Sequence, residues 1–331
     1  MDKLIRSKHL QAKKSGSSFI IVNEFTGRTI RAEKDLVDLI DKFYKPAPAL
    51  DFEQKYLTSN YNEVINKLKN IGFLIKEDDD EGSQVIPKWK DTFGKKIHTY
   101  ISNDQISKII FFCKDNEPVT CLTKEIALAC TELVSELFPL KHHLQVFYLS
   151  QKEFFDIVSY YNMPADTKAF VDAKSVLILN YDLFLNETNS DLFYPTIRHE
   201  ITHILFGQYR FNLPFWLEEG LCELYSKRTE TDNINLFLRG KQLISFANLN
   251  NRDIYSFIQF EAPEDIKNTF YLQAQSFTDF LIKKVGIQCF WNIINQISIC
   301  QNFAERLLEE ANISLSEIEE QWMSEVNEIE N

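Results

Sequence analysis

The sequence predicts an α+β protein with a small N-terminal domain followed by a larger one. Short runs of β-branched and aromatic residues alternate with amphipathic helical patterns in both parts, and helical patterns continue from residue 198 to the C-terminus. The acidic segment EDDDEGSQ, at 77–84, separates the two parts. A chain of 331 residues with 44% hydrophobic residues is long enough to form two cores.

The composition excludes several classes of partner. The formal net charge of −12 argues against nucleic acid, because phosphate binding needs a basic face. The sequence contains no apolar run as long as a membrane span, and its polar N-terminal segment lacks the apolar core of a signal peptide. The six cysteines form no CxxC pair and lie among apolar residues, which predicts reduced, buried thiols. We therefore expect a cytoplasmic protein without nucleic-acid or membrane partners.

The first predicted domain, residues 1–76, has the pattern of a small winged-helix-like unit. SSFIIVNEFTGRTIRA predicts two short strands with a turn at Thr26 and Gly27. EKDLVDLIDKFY predicts a helix, and SNYNEVINKLKNIGFLIKE predicts a second helix, which Gly72 ends, followed by a strand. The predicted strands lie at 19–22, 29–31 and 73–75.

The same segments resemble PqqD-like domains, which bind leader peptides during the maturation of ribosomally synthesised peptides. The resemblance is carried by FIIVNEFTGRTIRA, DLVDLI and YNEVINKLKNIGFLIKE. It implies an open groove between a sheet edge and the last helix, where a peptide adds as a strand. Two alternatives stay open: a packing domain without a ligand, and a DNA-binding winged helix, which the acidic charge disfavours.

An acidic linker at 77–95 is predicted to join this domain to the second one, at 96–331. The second domain begins with the order β-α-β-α-β and continues as helices, which is an α+β layout. Its strands are expected at 105–114, 143–150 and 173–182, and its first two helices at 123–138 and 151–161. The first of these helices is expected to turn Leu128, Leu133, Val134 and Leu137 inward.

The segment RHEITHILFG, at 198–207, carries the first half of a candidate metal site. His199 and His203 are four residues apart, so on a helix both imidazoles lie on one face and can reach the same ion. Glu200 can orient a water molecule beside that ion. The pattern also occurs by chance, and an ordinary amphipathic helix with two histidines is the alternative.

The next predicted helix, in NLPFWLEEGLCELYS, provides the carboxylates that a metal site needs. Catalytic zinc usually has three protein ligands and one open position. Glu219 and Glu223 share a helix face, whereas Glu218 is expected to point about a quarter turn away. Buried acids need partners, and a metal ion and a metal-binding histidine are such partners. Glu219 is the expected third ligand, and Glu223 is expected to accept an imidazole N–H.

HExxH followed by WLEEG resembles the gluzincin metallopeptidases of the peptidase MA superfamily. The resemblance implies a mixed sheet with a helical half, bound Zn2+, Glu219 as the third ligand and Glu223 as its supporting carboxylate. FYLQAQSFTDFLIKKVG is similar to the family's helix with a catalytic tyrosine, and the match falls on Tyr271. The resemblance implies that Tyr271 donates to the oxyanion of the tetrahedral intermediate. A core aromatic residue is the alternative for this position.

The sequence departs from the aminopeptidases of that family at the strand before the zinc motif. It lacks their Gly-x-Met-Glu-Asn segment, whose acid binds the free α-amine of the substrate, and this favours an endopeptidase. The substrate is expected to lie along an edge strand formed by Val176, Leu177, Ile178, Leu179 and Asn180.

Together the two resemblances imply a zinc endopeptidase that removes a leader from a ribosomally synthesised peptide. Glu200 would take a proton from water and pass it to the leaving amine. The N-terminal domain would hold the leader. The alternative is a winged-helix regulatory protein whose metallopeptidase domain senses a peptide or cleaves a repressor.

Overall fold

The chain is an α+β protein, as the sequence predicts. The computed structural model describes residues 3–7, 10–23, 28–44, 46–52, 60–76, 95–101, 108–113, 120–160, 167–172, 176–184, 190–209, 213–227, 231–246, 254, 257–297 and 303–328. The predicted turn at Thr26 and Gly27 and nearly all of the predicted linker at 77–95 lie outside the described residues.

The chain divides into two compact units. Unit 1 consists of Met1–Glu81, Arg210–Asn212 and Ile287–Ser314, and unit 2 of Gly82–Tyr209, Leu213–Gly286 and Leu315–Asn331. The N-terminal part of unit 1 corresponds to the predicted first domain. Unit 1 also takes up the segment from Ile287 to Ser314, which the predicted boundaries assign to the second domain.

Unit 1 contains two small antiparallel sheets. Their orders are β5-β1-β6 and β2-β3-β4, and two helices, α1 and α2, accompany them. The elements are β1 (Lys3–Arg6), β2 (Leu10–Ser15), β3 (Ser18–Asn23), β4 (Thr29–Ala32), α1 (Lys34–Lys42), β5 (Ala47–Pro48), a 3-10 turn (Ala49–Phe52), α2 (Tyr61–Asn70) and β6 (Leu74–Lys76). Strands β1 and β2 were not predicted, because the LQAKKS sequence of β2 is polar and mostly faces solvent.

The end of α2 is set by local backbone conformation and hydrogen bonding. Gly72 has a φ of 73° after α2, and Phe73 N–H donates to the carbonyl of Leu68 at 2.8 Å, which ends the helix as predicted.

Two later helices, α10 (Ile287–Gln296) and α11 (Phe303–Ala311), belong to unit 1. The guanidinium of Arg6 pairs with Asp41 of α1 and donates to the carbonyl of Ile297, just after α10.

Unit 2 is built on a five-stranded sheet of order β10-β11-β9-β8-β7. Strands β8, β9 and β11 are parallel, and the antiparallel strands β7 and β10 lie at the two ends. The strands are β7 (Lys95–Ile101), β8 (Lys108–Cys113), β9 (Leu144–Leu149), β10 (Ala169–Asp172) and β11 (Val176–Asn180).

The prediction that the strand at Val176–Asn180, β11, lies at the edge of the sheet is therefore wrong. Strand β11 pairs with β9 on one side and with β10 on the other, and all five of its residues are buried. A substrate cannot add to a strand that already has two neighbours. Strand β10 has only four residues and was not predicted, although the continuous apolar run VLIL of β11 is typical of an interior strand.

The other elements of unit 2 in the described part of the chain are helices. They are α3 (Thr120–Glu136), α4 (Gln151–Tyr160), α5 (Tyr181–Phe184), α6 (Ser190–Tyr209), α7 (Phe215–Ser226), α8 (Thr231–Leu238), α9 (Glu264–Val285) and α12 (Leu315–Glu328), with a π-helical turn at Phe257–Glu261. Leu133 of α3 is buried as predicted, and Val134 and Leu137 are partly buried. Leu128 is 51% exposed, against expectation, because the buried face of α3 runs through Ile126, Cys130 and Leu133. Among the helices in the described parts of the chain, none has both the length and the apolarity of a membrane span.

Candidate metal centre

The candidate metal centre lies where α6 and α7 pack together. Helix α6 buries Ile197, Ile201, Ile204 and Leu205, whose spacing defines one apolar stripe. Helix α7 begins after Pro214, whose φ of −57° suits a helix start, and ends at Lys227 in a left-handed conformation. The two histidines project from α6 toward the carboxylates of α7.

Three atoms from these helices form a small triangle. The Nε2 atoms of His199 and His203 are 3.2 Å apart, and the Oε2 atom of Glu219 lies 3.4 Å from the first and 3.6 Å from the second. Tetrahedral zinc with ligand bonds of about 2.0–2.2 Å separates its ligand atoms by about 3.3–3.6 Å. The triangle therefore fits a zinc ion bound by His199, His203 and Glu219.

The outer nitrogen of each histidine also faces a carboxylate. The Nδ1 atom of His199 lies 3.1 Å from Glu223 Oε1, which is an ion-pair distance without hydrogen-bond geometry. The Nδ1 atom of His203 lies 3.0 Å from Glu218 Oε1. Glu223 thus lies beside His199, but without the hydrogen bond from the imidazole N–H that the sequence predicts. Glu218 does not point away from the site as expected, because α7 runs antiparallel to α6 and carries one carboxylate to each imidazole.

These contacts set the charges in the metal-free protein. Burial would lower the pKa of His199, but Glu223 and Glu219 outweigh burial and raise that pKa to about 9. Burial would likewise raise the pKa of Glu219, but His203 and His199 lower it to about 2. The site therefore holds an ionised carboxylate and a protonated histidine at neutral pH.

Glu200 follows His199 on α6, is partly buried, and interacts electrostatically with the two histidines and with Glu219. Burial raises its pKa most strongly, the two histidines partly offset that shift, and the carboxylates of Glu219 and Glu223 add to it. A carboxyl group whose pKa moves toward neutrality is suited to accept and return a proton.

Cys222 was not predicted to belong to the site. Its side chain is fully buried on α7, and one ligand atom from each of His199, His203 and Cys222 lies within 4.8 Å of the others. Burial raises the pKa of the Cys222 thiol. The available sequence signal was its position, three residues after Glu219 and therefore near the same helix face.

Sequence reasoning also missed Arg198, a residue of α6 that joins this helix to two others. Its Nε atom donates to the backbone oxygen of Tyr225, near the C-terminal end of α7, at 2.7 Å. Its Nη1 and Nη2 atoms lie 2.7 Å from Glu132 and 2.6 Å from Glu136 of α3. The guanidinium is fully buried, so it links α6 to α3 and α7 through hydrogen bonds. The spacing of Glu132 and Glu136 on one helix face was the signal that sequence reasoning passed over.

Helix α9 packs against the other side of α7. An added Cβ atom at Gly220 would overlap Thr278 and the backbone of Ala274, so the two helices approach closely there. Tyr271 lies three residues before Ala274 and shares its helix face. Its side chain is partly buried, with its ring 5.6 Å from that of Phe270.

Comparison of the chain with known protein families and with curated proteins gives no match.

Proposed function

We propose that this chain is a Zn2+-dependent endopeptidase. The observation that supports this proposal is the triangle of His199, His203 and Glu219, with ligand-atom separations of 3.2, 3.4 and 3.6 Å. The ligands come from HExxH on one helix and from the following helix, which is the order that the gluzincin resemblance implies.

Each residue of the centre has a distinct part in peptide hydrolysis. His199, His203 and Glu219 would hold the metal, which when bound would polarise the scissile carbonyl and make a water molecule more acidic. Glu200 would accept a proton from water and return it to the leaving amine, and the burial that raises its pKa favours this exchange. Tyr271 is proposed to donate its hydroxyl hydrogen to the oxyanion.

The substrate is proposed to lie along β10 instead of β11. Strand β10 is the terminal strand of its sheet in the described part of the chain and packs against α6. An extended peptide can pair with a terminal strand through backbone hydrogen bonds alone, which gives weak side-chain selectivity.

Metal analysis and peptide hydrolysis of the same preparations test this proposal. We expect one zinc ion per chain and cleavage of peptides with blocked N-termini. Glu200→Gln should retain zinc and lose turnover, since this residue is not a ligand. Glu219→Ala should lose both. Glu125→Gln, on the exposed surface of α3, is the matched control and should change neither. A zinc-free wild-type chain, or full zinc in Glu219→Ala, would exclude the proposed centre.

We further propose that unit 1 captures a leader peptide, so that a precursor is held while unit 2 cuts it. Unit 1 supports this proposal with a core of its own and with two sheets whose terminal strands can accept another strand. Tethering raises the local concentration of the cleavage junction, so the zinc site itself needs little selectivity.

Competition in the full-length chain tests capture better than deletion. Deleting residues 1–76 would also strip partners from the segment at Ile287–Ser314, which belongs to the same unit. Isolated leader peptide should slow cleavage of the full precursor and leave cleavage of a short junction peptide unchanged. Equal inhibition of both substrates, or of neither, would leave a zinc endopeptidase without leader capture.

A further inference from the structure

Helix α7 presents two different ligand types to one histidine pair. Glu219 supplies a carboxylate oxygen, and Cys222, three residues later, supplies a thiol. One ligand atom from each of His199, His203 and Cys222 lies within 4.8 Å of the others, and the Cys222 side chain is fully buried. The proposed zinc site uses the histidines with Glu219 and leaves this thiol without a chemical role.

We propose that Cys222 is an alternative metal ligand, which lets the centre bind a soft, thiophilic cation through His199, His203 and Cys222. Thiolate ligands prefer soft metal ions, whereas carboxylates prefer harder ones. The inference rests on the same histidine pair as the proposed zinc site, but it does not require Glu219.

Cd2+ is such a soft ion, so it suits the set that contains Cys222, whereas Zn2+ suits the set that contains Glu219. On binding, a sulfur–metal bond forms and the thiol proton passes to the solvent.

Ultraviolet titration of the metal-free, full-length chain with Cd2+ tests this inference. Cadmium bound to a thiolate gives a sulfur-to-metal charge-transfer absorption, and we expect it to saturate at one ion per chain. Cys222→Ser should abolish the absorption and weaken Cd2+ binding at least about tenfold, while Zn2+ affinity changes by less than about threefold. Cys289→Ser removes a partly exposed cysteine elsewhere and should leave the absorption intact.

Glu219→Ala separates this inference from the proposed function. We expect this variant to lose zinc and to retain the cadmium–thiolate absorption, because the cysteine set does not include Glu219. An absorption that is absent from the wild-type chain, or that survives in Cys222→Ser, would overturn the inference while the zinc proposal stands. A wild-type chain that binds Cd2+ through Cys222 but no Zn2+ would reject the proposed function alone.

Discussion

The Nδ1 atom of His203 lies 3.0 Å from the Oε1 atom of Glu218, the residue directly before the proposed metal ligand. The Nδ1 atom of His199 lies 3.1 Å from Glu223 Oε1, at an ion-pair distance without hydrogen-bond geometry. Each imidazole thus turns its Nε2 atom to the triangle and its Nδ1 atom to a carboxylate, and a hydrogen bond of the kind that Glu218 makes orients a histidine as a ligand. Adjacent acids on α7 therefore have different surroundings: Glu219 faces the proposed metal position between the two Nε2 atoms, and Glu218 faces the Nδ1 atom of His203.

We expect Glu218→Gln to weaken zinc binding by about tenfold to a hundredfold without abolishing it, since partners of this kind contribute that much. Competition with a chromophoric chelator measures the affinity. Glu219→Gln should weaken it far more, because it replaces a ligand. A larger loss of zinc affinity in Glu218→Gln than in Glu219→Gln would mean that Glu218 is the metal ligand and Glu219 is not.

Arg198→Met should destabilise the fold by about 1–3 kcal/mol, because it removes the donor to the Tyr225 backbone oxygen and the partner of two partly exposed acids, Glu132 and Glu136. Thermal or urea unfolding of the metal-free chain measures this change. Lys227→Met is the matched control: Lys227 contacts the same Glu136 at 2.5 Å but its side chain is 55% exposed. Loss of that exposed pair should cost less than about 1 kcal/mol. Equal losses in the two variants would show that burial of Arg198 adds nothing.

Gly220→Ala should lower the free energy of unfolding by about 1–3 kcal/mol, because its methyl group overlaps Thr278 and Ala274 and forces α7 away from α9. Gly207→Ala, on α6, has no atom within 4 Å of the added methyl. That control should stabilise the chain by up to about 1 kcal/mol through helix propensity. Urea unfolding of both variants measures these changes. An unchanged free energy of unfolding in Gly220→Ala would contradict the close approach of α7 and α9.

Zinc uptake should release protons near neutral pH. The pKa of His199 is raised to about 9 in the metal-free chain, so the imidazole is protonated at pH 7 and must lose that proton to bind a metal. Apparent zinc affinity should therefore increase as pH rises from 6 toward 9. Calorimetry in buffers of different ionisation enthalpy counts the protons. Glu223→Gln removes a carboxylate that raises this pKa and should release fewer; buffer-independent heats would contradict the assignment.

Tyr271→Phe retains the aromatic ring and removes only the hydroxyl. We expect kcat to fall by about a hundredfold or more with little change in KM, as for other oxyanion donors. Zinc content should stay at the wild-type level, since the residue is not a ligand. Unchanged kcat in a folded, zinc-loaded variant would leave Tyr271 as a packing residue of α9.

The sequence by itself predicted those parts of the site that depend on local geometry. His199 and His203 share a helix face because four residues make about one turn, and the same spacing relates Glu219 to Glu223. The end of α2 was predicted for a similar reason, since Gly72 adopts a φ of 73° that few other residues tolerate. In each case the residues are neighbours along one helix, so no distant partner affects the outcome.

Only the tertiary structure decided which element meets which. The antiparallel packing of α6 and α7 places Glu218 beside His203 and Cys222 near the two histidines. Tertiary packing also buries Arg198 against acids of α3 that are far away in sequence. A short strand, β10, covered β11 and removed the expected edge. The segment at Ile287–Ser314 joined unit 1 although more than 200 residues separate it from Glu81. Such pairings depend on which apolar faces pack against each other. Helical or strand periodicity shows which residues form an apolar face, but it does not show which other element covers that face.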